Sequence, residues 1–169
     1  MKEKLYTIPL NDAVNASDEC PFCFIERELE QNSLDFVLGN SSSYMESDIR
    51  DQTDKAGFCR VHMKKMFDYG NTLGNALILQ THYHKLREEM KKQFDSFAPG
   101  KSSILARFLR SDSSADKNPI AAWTASKDCS CFICQNIDDT FKRYVETFFW
   151  LYRQDNEFKS KILRSKGFC

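Results

Sequence analysis

The sequence predicts an all-α protein of about six helices, and three observations lead there. Apolar residues recur at spacings of three and four over long stretches. No segment alternates apolar and polar residues with the period of two that a strand requires. Gly and Pro number only six and four in 169 residues, about half their usual share and too few for a turn-rich β fold. A chain of this length makes one domain, or two small ones sharing a core. It can bury enough apolar surface to fold without a staple.

The first ten residues, with Pro9, read as a short arm. Asp18 is placed as a helix cap, and Pro21 follows near a first helical position. Phe22, Ile25, Leu29, Phe36 and Val37 then recur at helical spacing until Gly39-Asn40-Ser41-Ser42-Ser43 breaks the pattern. Tyr44 to Lys55 reads as a short exposed helix. Another runs from Phe58-Cys59 to Phe67, and Gly70-Asn71 stops it. Leu73 to Phe97 carries the clearest pattern. Leu79, Tyr83, Leu86, Met90, Phe94 and Phe97 make one apolar stripe, and Pro99-Gly100 ends the helix. From Lys101 to Lys127 the pattern is mixed, with a helical turn near Ile104–Leu109 and a linker at Ser111–Pro119. A helix follows from Phe132 to Tyr152, with Phe141, Tyr144, Val145, Phe148 and Tyr152 on its core face and Trp150 beside it as a contact point. A last short helix holds Phe158, Ile162 and Leu163.

Charge and hydropathy exclude several functions. Lys+Arg and Asp+Glu are both 24, so the formal net charge is zero. A general nucleic-acid or membrane-surface binder needs a basic excess or face. The cluster Lys159, Lys161, Arg164, Lys166 is basic but short, and Glu88-Glu89-Lys91-Lys92 reads as a solvated helix face. The longest apolar run is Phe148 to Tyr152, far short of a membrane span. The N-terminus is too polar for a secretory leader. The expected compartment is therefore a reducing cytoplasm, where paired cysteines hold metal or do redox work more often than they form structural disulfides.

The unusual entry in the composition is cysteine, seven against three histidines. An odd count fits a closed disulfide framework badly. Six of the seven fall into a repeated pattern. Cys20-Pro21-Phe22-Cys23 is followed after 35 residues by Cys59 of Gly57-Phe58-Cys59. Cys131-Phe132-Ile133-Cys134 is followed after 34 residues by Cys169 of Gly167-Phe168-Cys169. Two C-x-x-C pairs, each followed by GFC at nearly the same distance, read as an internal duplication. On this reading residues 1–97 are the first unit with its long helix, 98–127 a linker, and 128–169 a second unit cut short at its C-terminal end. The two units would share one core.

The first copy adds His62, three residues after Cys59. Ligands three apart at a helix start face one ion, so Cys20, Cys23, Cys59 and His62 form the expected Cys₃His zinc site. Thiolates at helix N-termini also gain from the helix dipole. Four protein ligands close the coordination sphere, which makes such a site structural and not catalytic. The gap is far longer than in a C₂H₂ finger. In the second copy the matching histidine would fall beyond Cys169. That leaves Cys131, Cys134 and Cys169 as a possible second metal site, with Cys129 as a stand-in fourth ligand or an exposed thiol. His82 and His84 lie two apart on one helix and do not face each other. His84 lies beside the apolar stripe and His82 at the surface, and neither has an expected catalytic role. No Walker loop, nucleophile elbow, HExxH, EF-hand or haem-attachment motif is present.

Together "KEKLYTIPLNDA", "ECPFC", "SYMESDIRDQTDKAGFCRVH", "LGNALILQTH", "CFIC", "YVETFFWLY" and "SKGFC" resemble an uncharacterised family of Firmicutes-type bacteria. The resemblance covers essentially the whole chain and implies no known activity. In such proteins a histidine-bearing segment normally follows the second GFC. This sequence departs from the pattern by stopping at Cys169, as a truncated chain would.

The leading reading is a zinc-stabilised helical binding or scaffold protein that acts on an unknown protein partner or by self-association, without catalysis. A thiol redox sensor or dithiol–disulfide exchange protein is the first alternative, since Cys20-Pro21-Phe22-Cys23 resembles the thioredoxin-type motif. It lacks the preceding strand of that fold. Plain buried thiols, an iron–sulfur centre and a nucleic-acid-binding adaptor complete the alternatives.

Overall fold

A computed structural model of the chain describes residues 5–41, 43–97 and 119–169. These form eight α-helices and one 3₁₀ turn, with no strand among the described residues. The helices are α1 Thr7–Asn15, α2 Pro21–Leu38, α3 Ser47–Ala56, α4 Arg60–Asp68, α5 Thr72–Asp95, α6 Pro119–Asp128, α7 Phe132–Gln154 and α8 Asn156–Arg164. The turn is Ser43–Met45. Among these helices none is long and apolar enough to cross a membrane.

All-α is therefore correct, and the count of six is not. Six helices match those expected, and α1 and α6 are additional. The N-terminal arm is helical because Pro9 falls in the first turn of α1, where its missing N–H costs no intrahelical bond. Pro119 opens α6 at the first helical position in the same way. The turn expected at Ile104–Leu109 and most of the Ser111–Pro119 linker lie outside the described residues.

The chain divides into two compact units that do not follow the sequence repeats. The first unit comprises residues 1–36 and 133–169, and the second comprises 37–132. Each is therefore assembled from a different cut of the chain than the CxxC–GFC periods suggest.

The core of the first unit gathers Leu10 and Val14 of α1, Ile25 and Leu29 of α2, Tyr144, Phe148 and Leu151 of α7, and Phe158 and Ile162 of α8. Phe148 is its hub. Its ring meets Phe22 at 5.0 Å, Phe158 at 5.6 Å and Phe168 at 5.6 Å between centroids. Trp150, expected as an outer contact point, is partly buried and packs against this core. α8 starts where Asp155 accepts hydrogen bonds from the backbone N–H of Glu157 and Phe158, an N-cap that fixes the entry of buried Phe158.

The second unit packs α3 against α5 around Ile49, Thr53, Met66 and Ile78. Asn71 caps α5 by accepting from Gly74 N–H, and its amide donates to the Leu38 carbonyl. The buried face of α5 is Gly74, Asn75, Ile78 and His82. The apolar stripe expected to be buried is turned away from it, with Tyr83, Met90, Phe94 and Phe97 all exposed. The two histidines exchange roles accordingly. His82 is buried, and its Nδ1 donates to the Asp54 carbonyl at 3.1 Å. His84 is exposed and meets Glu88 at 3.2 Å.

Candidate metal centres

Three of the four cysteine motifs use the first turn of a helix, and Gly167-Phe168-Cys169 follows α8 without starting one. Cys20 immediately precedes α2, and its carbonyl accepts from Phe24 N–H. Cys59 is the N-cap of α4, and Cys131 immediately precedes α7. The second ligand of each pair, Cys23, His62 or Cys134, stands three residues later. These are the two positions whose side chains meet in a capping box. A C-x-x-C or C-x-x-H at a helix start is thus already a two-toothed clip, facing the positive end of the helix dipole.

Two groups result. Cys59, His62, Cys131 and Cys134 place one ligand atom each within 4.8 Å of the others. Cys20, Cys23 and Cys169 do the same. The set expected from chain order, Cys20 and Cys23 with Cys59 and His62, is not the set the structure brings together. Nor do Cys131 and Cys134 join Cys169. Cys129 is exposed and belongs to neither group. The pairing is crossed, with Cys20 and Cys23 meeting Cys169, and Cys131 and Cys134 meeting Cys59 and His62.

The reason is length. At 1.5 Å per residue, α2 with 18 residues spans about 27 Å, while α3 with 10 spans about 15 Å. Likewise α7 spans about 35 Å and α8 about 14 Å. A helix of that shorter length, even if it ran straight back, would not return a GFC to its own C-x-x-C. Helix lengths estimated from the sequence are the signal that could have revealed the exchange.

In the first group Cys59 Sγ lies 3.2 Å and Cys131 Sγ 3.4 Å from His62 Nδ1. Tetrahedral zinc with bonds of about 2.3 Å to sulfur and 2.05 Å to nitrogen separates S and N by about 3.5 Å. The residues therefore stand close to the edges of the required tetrahedron. Cys131 and His62 are buried. The backbone holds the two strips together. Phe132 N–H donates to the Gly57 carbonyl at 2.9 Å, and Ser130 Oγ donates to the Ala56 carbonyl at 2.6 Å. Gly57 ends α3 with φ of 65°, and a Cβ there would lie 2.8 Å from His82 Cε1. Glycine is needed both for the left-handed turn and for the close approach of the imidazole. Sequence reasoning placed His82 at the surface, and it gave no role to Ser130 or to the backbone of Phe132.

The second group lies wholly in the first unit. Phe22 and Phe168, the aromatic residues inside the two motifs, meet at 5.2 Å and both pack on Phe148. This brings Cys169 to the start of α2, with Cys23 Sγ 3.3 Å from Cys169 Sγ. Cys20 is buried, Cys23 half-buried and Cys169 exposed. Burial would raise the Cys20 thiol, but the backbone N–H groups of Cys169 and Cys23 and both neighbouring thiols outweigh it and hold the pKa at about 7. Hydrogen bonding to Cys169 and Cys20 pushes Cys23 up to about 12. A cleft of about 390 Å³ adjoins the segments leading into Cys20 and Cys169, lined by Ser17, Asp18, Lys161, Arg164, Ser165 and Lys166. Asp18, expected to cap α2, instead accepts from Glu19 N–H and pairs with Arg27.

No curated protein and no solved structure matches the chain. A family model does match, over residues 1–169, and the chain belongs to that family, described as a Family of unknown function (DUF6062).

Proposed function

We propose that this chain is a structural-zinc protein, a helical binding or scaffold module that holds one ion on Cys59, His62, Cys131 and Cys134. One observation carries the reading: three sulfurs and a ring nitrogen within 4.8 Å of one another, from the first turns of two helices. Zinc suits three thiolates and an imidazole at tetrahedral spacing. Four protein ligands leave no open position for catalysis. The repeated order of C-x-x-C, long helix, short helix and a left-handed glycine at Gly57 and Gly167 supports an origin by duplication. None of the seven cysteines is in a disulfide, which suits a reducing cytoplasm. Elemental analysis of protein purified without added metal tests the proposal. At least one zinc per chain, with a fall in thermal stability on chelation, is expected. No zinc, or stability indifferent to chelator, overturns it.

A second reading, thiol redox chemistry, draws on the 3.3 Å approach of Cys23 to Cys169. It predicts that the Cys20, Cys23, Cys169 group is found oxidised in protein purified without reductant, with no second ion bound.

A further inference from the structure

We propose that the groove where α1, α2 and α7 meet binds an aliphatic ammonium ion. The residues that line it all belong to the first unit, and the groove holds a cleft of about 350 Å³. That volume suits a small organic molecule. Phe24 and Ile25 of α2 and Tyr144 of α7 supply an apolar, aromatic wall. Asp12 of α1, with Glu28 and Asn32 of α2, supplies a polar one. Helical spacing produces the arrangement. Phe24, Glu28 and Asn32 step by four along one side of α2, so ring, carboxylate and amide stand in one row.

Two observations say what fits. The first is the meeting of two carboxylates with two aromatic rings. Both attract a cation, the carboxylates through their charge and the rings through their negative faces. The second is Tyr144, which is only 8% exposed and lines the cleft. Its hydroxyl has no hydrogen-bond partner among the described residues. Burial first, then Tyr6 and the Glu28 charge, raise its pKa, so at neutral pH the phenol keeps its proton and its oxygen is open to a donor. A hydrated divalent ion fits this wall badly, since Phe24 and Ile25 offer it no oxygen. An alkylammonium uses both walls. Its N–H groups donate to the carboxylates and the phenol, and its methylenes lie on Phe24 and Ile25. A free diamine and a lysine side chain presented by another protein share this chemistry.

Amide chemical shifts of the full chain as purified test the proposal. Cadaverine and Nα-acetyl-lysine methylamide are the cationic probes, and pentanediol is the neutral one. The cationic probes should move the Phe24, Ile25 and Tyr144 amides, and the better of them should bind about tenfold more tightly than the diol. Whichever cation binds better names the source, a free diamine or a presented lysine. Asp12→Asn and Glu28→Gln should each weaken that probe by about threefold. Both replace exposed side chains, and unchanged melting temperatures would show that the fold is kept. Tyr144→Phe retains the ring and should weaken the same probe. Glu26→Gln, which alters an exposed carboxylate of α2 outside the cleft, should leave binding unchanged. Shifts confined to other residues, equal affinity for the diol, or equal losses in Glu26→Gln and Glu28→Gln would overturn the proposal. Displacement of the better probe by an equal concentration of Mg²⁺ would overturn it as well.

Discussion

Cys131 Sγ lies 3.4 Å from Nδ1 of His62, a residue 69 positions earlier in the chain, and Cys59 Sγ approaches the same nitrogen at 3.2 Å. A ring nitrogen offers one hydrogen or one lone pair, so it cannot bond well to both thiols at once. A metal ion removes the conflict, because all three atoms become corners of one tetrahedron. The crossed pairing then makes a prediction that chain order does not. Cys59→Ser and Cys131→Ser should each remove the first ion and cost several kcal/mol, a large part of a small metal site's folding energy. The double variant should be little worse than either single, since the ion is lost only once. Cys59→Ser and Cys20→Ser should instead add. Denaturant unfolding of the four-member cycles, with zinc present, separates the two pairings.

Gly57 sits under the first site, and its replacement is expected to be costly. Gly57→Ala places a Cβ at a left-handed φ of 65° and 2.8 Å from the His82 ring. Strain of this kind costs about 1–3 kcal/mol, and the buried imidazole has little room to withdraw. Adding His82→Ala should relieve the clash and leave the backbone term. Gly167 offers a control, since a Cβ there meets nothing within 4 Å. Gly167→Ala at φ of 96° should lose only the backbone part. Melting temperatures of the four variants read the difference.

What was legible in the sequence was local. The ligand types and their spacing of three are signals within one helix start, and Cys20, Cys59 and Cys131 each sit where a helix begins. Pairing between the motifs is not local. It depends on how far α2 and α7 travel before α3 and α8 turn back. α5 shows the same limit. Its larger apolar residues, such as Met90 and Phe94, form an obvious stripe, yet Gly74, Ile78 and His82 face the core. Small and polar residues won because α3 and the Gly57 turn come close there. Likewise α6, with its run of Ala, Thr and Ser, has no apolar period, and only Pro119 marked its start.

The Glu89–Lys127 pair, 2.6 Å apart, ties α5 to α6 and gives the second unit a defined acid response. Burial acts to raise the Glu89 pKa, but the Lys127 ammonium and then the Trp123 side chain outweigh it, and the carboxyl is held below its ordinary value. A folded-state pKa below the unfolded one stabilises the protein above the unfolded value, near 4.3, and the gain is lost as pH falls through the folded value. Both side chains keep about a quarter of their exposure, so the effect is discounted to about 0.5 kcal/mol. Glu89→Gln should lower stability by about that much at pH 7 and leave it nearly unchanged at pH 3. Urea unfolding at the two pH values measures it.

The 3.3 Å contact between Cys23 and Cys169 sets how the second group responds to oxidant. A disulfide needs the sulfurs to close to about 2.05 Å, a small movement for the exposed Cys169. With hydrogen peroxide as oxidant, two thiols give one disulfide and two waters. In metal-free protein the Cys23–Cys169 peptide pair should be the main cross-link found by mass spectrometry. Cys20, buried at the same helix start, would be the competing partner for either sulfur. Zinc bound by the three thiolates should suppress the cross-link, because each sulfur's lone pair is then committed to the ion. Equal yields with and without zinc would mean that these sulfurs do not hold it. A dominant Cys129 product would mean that exposure, not the prearranged contact, governs the reaction.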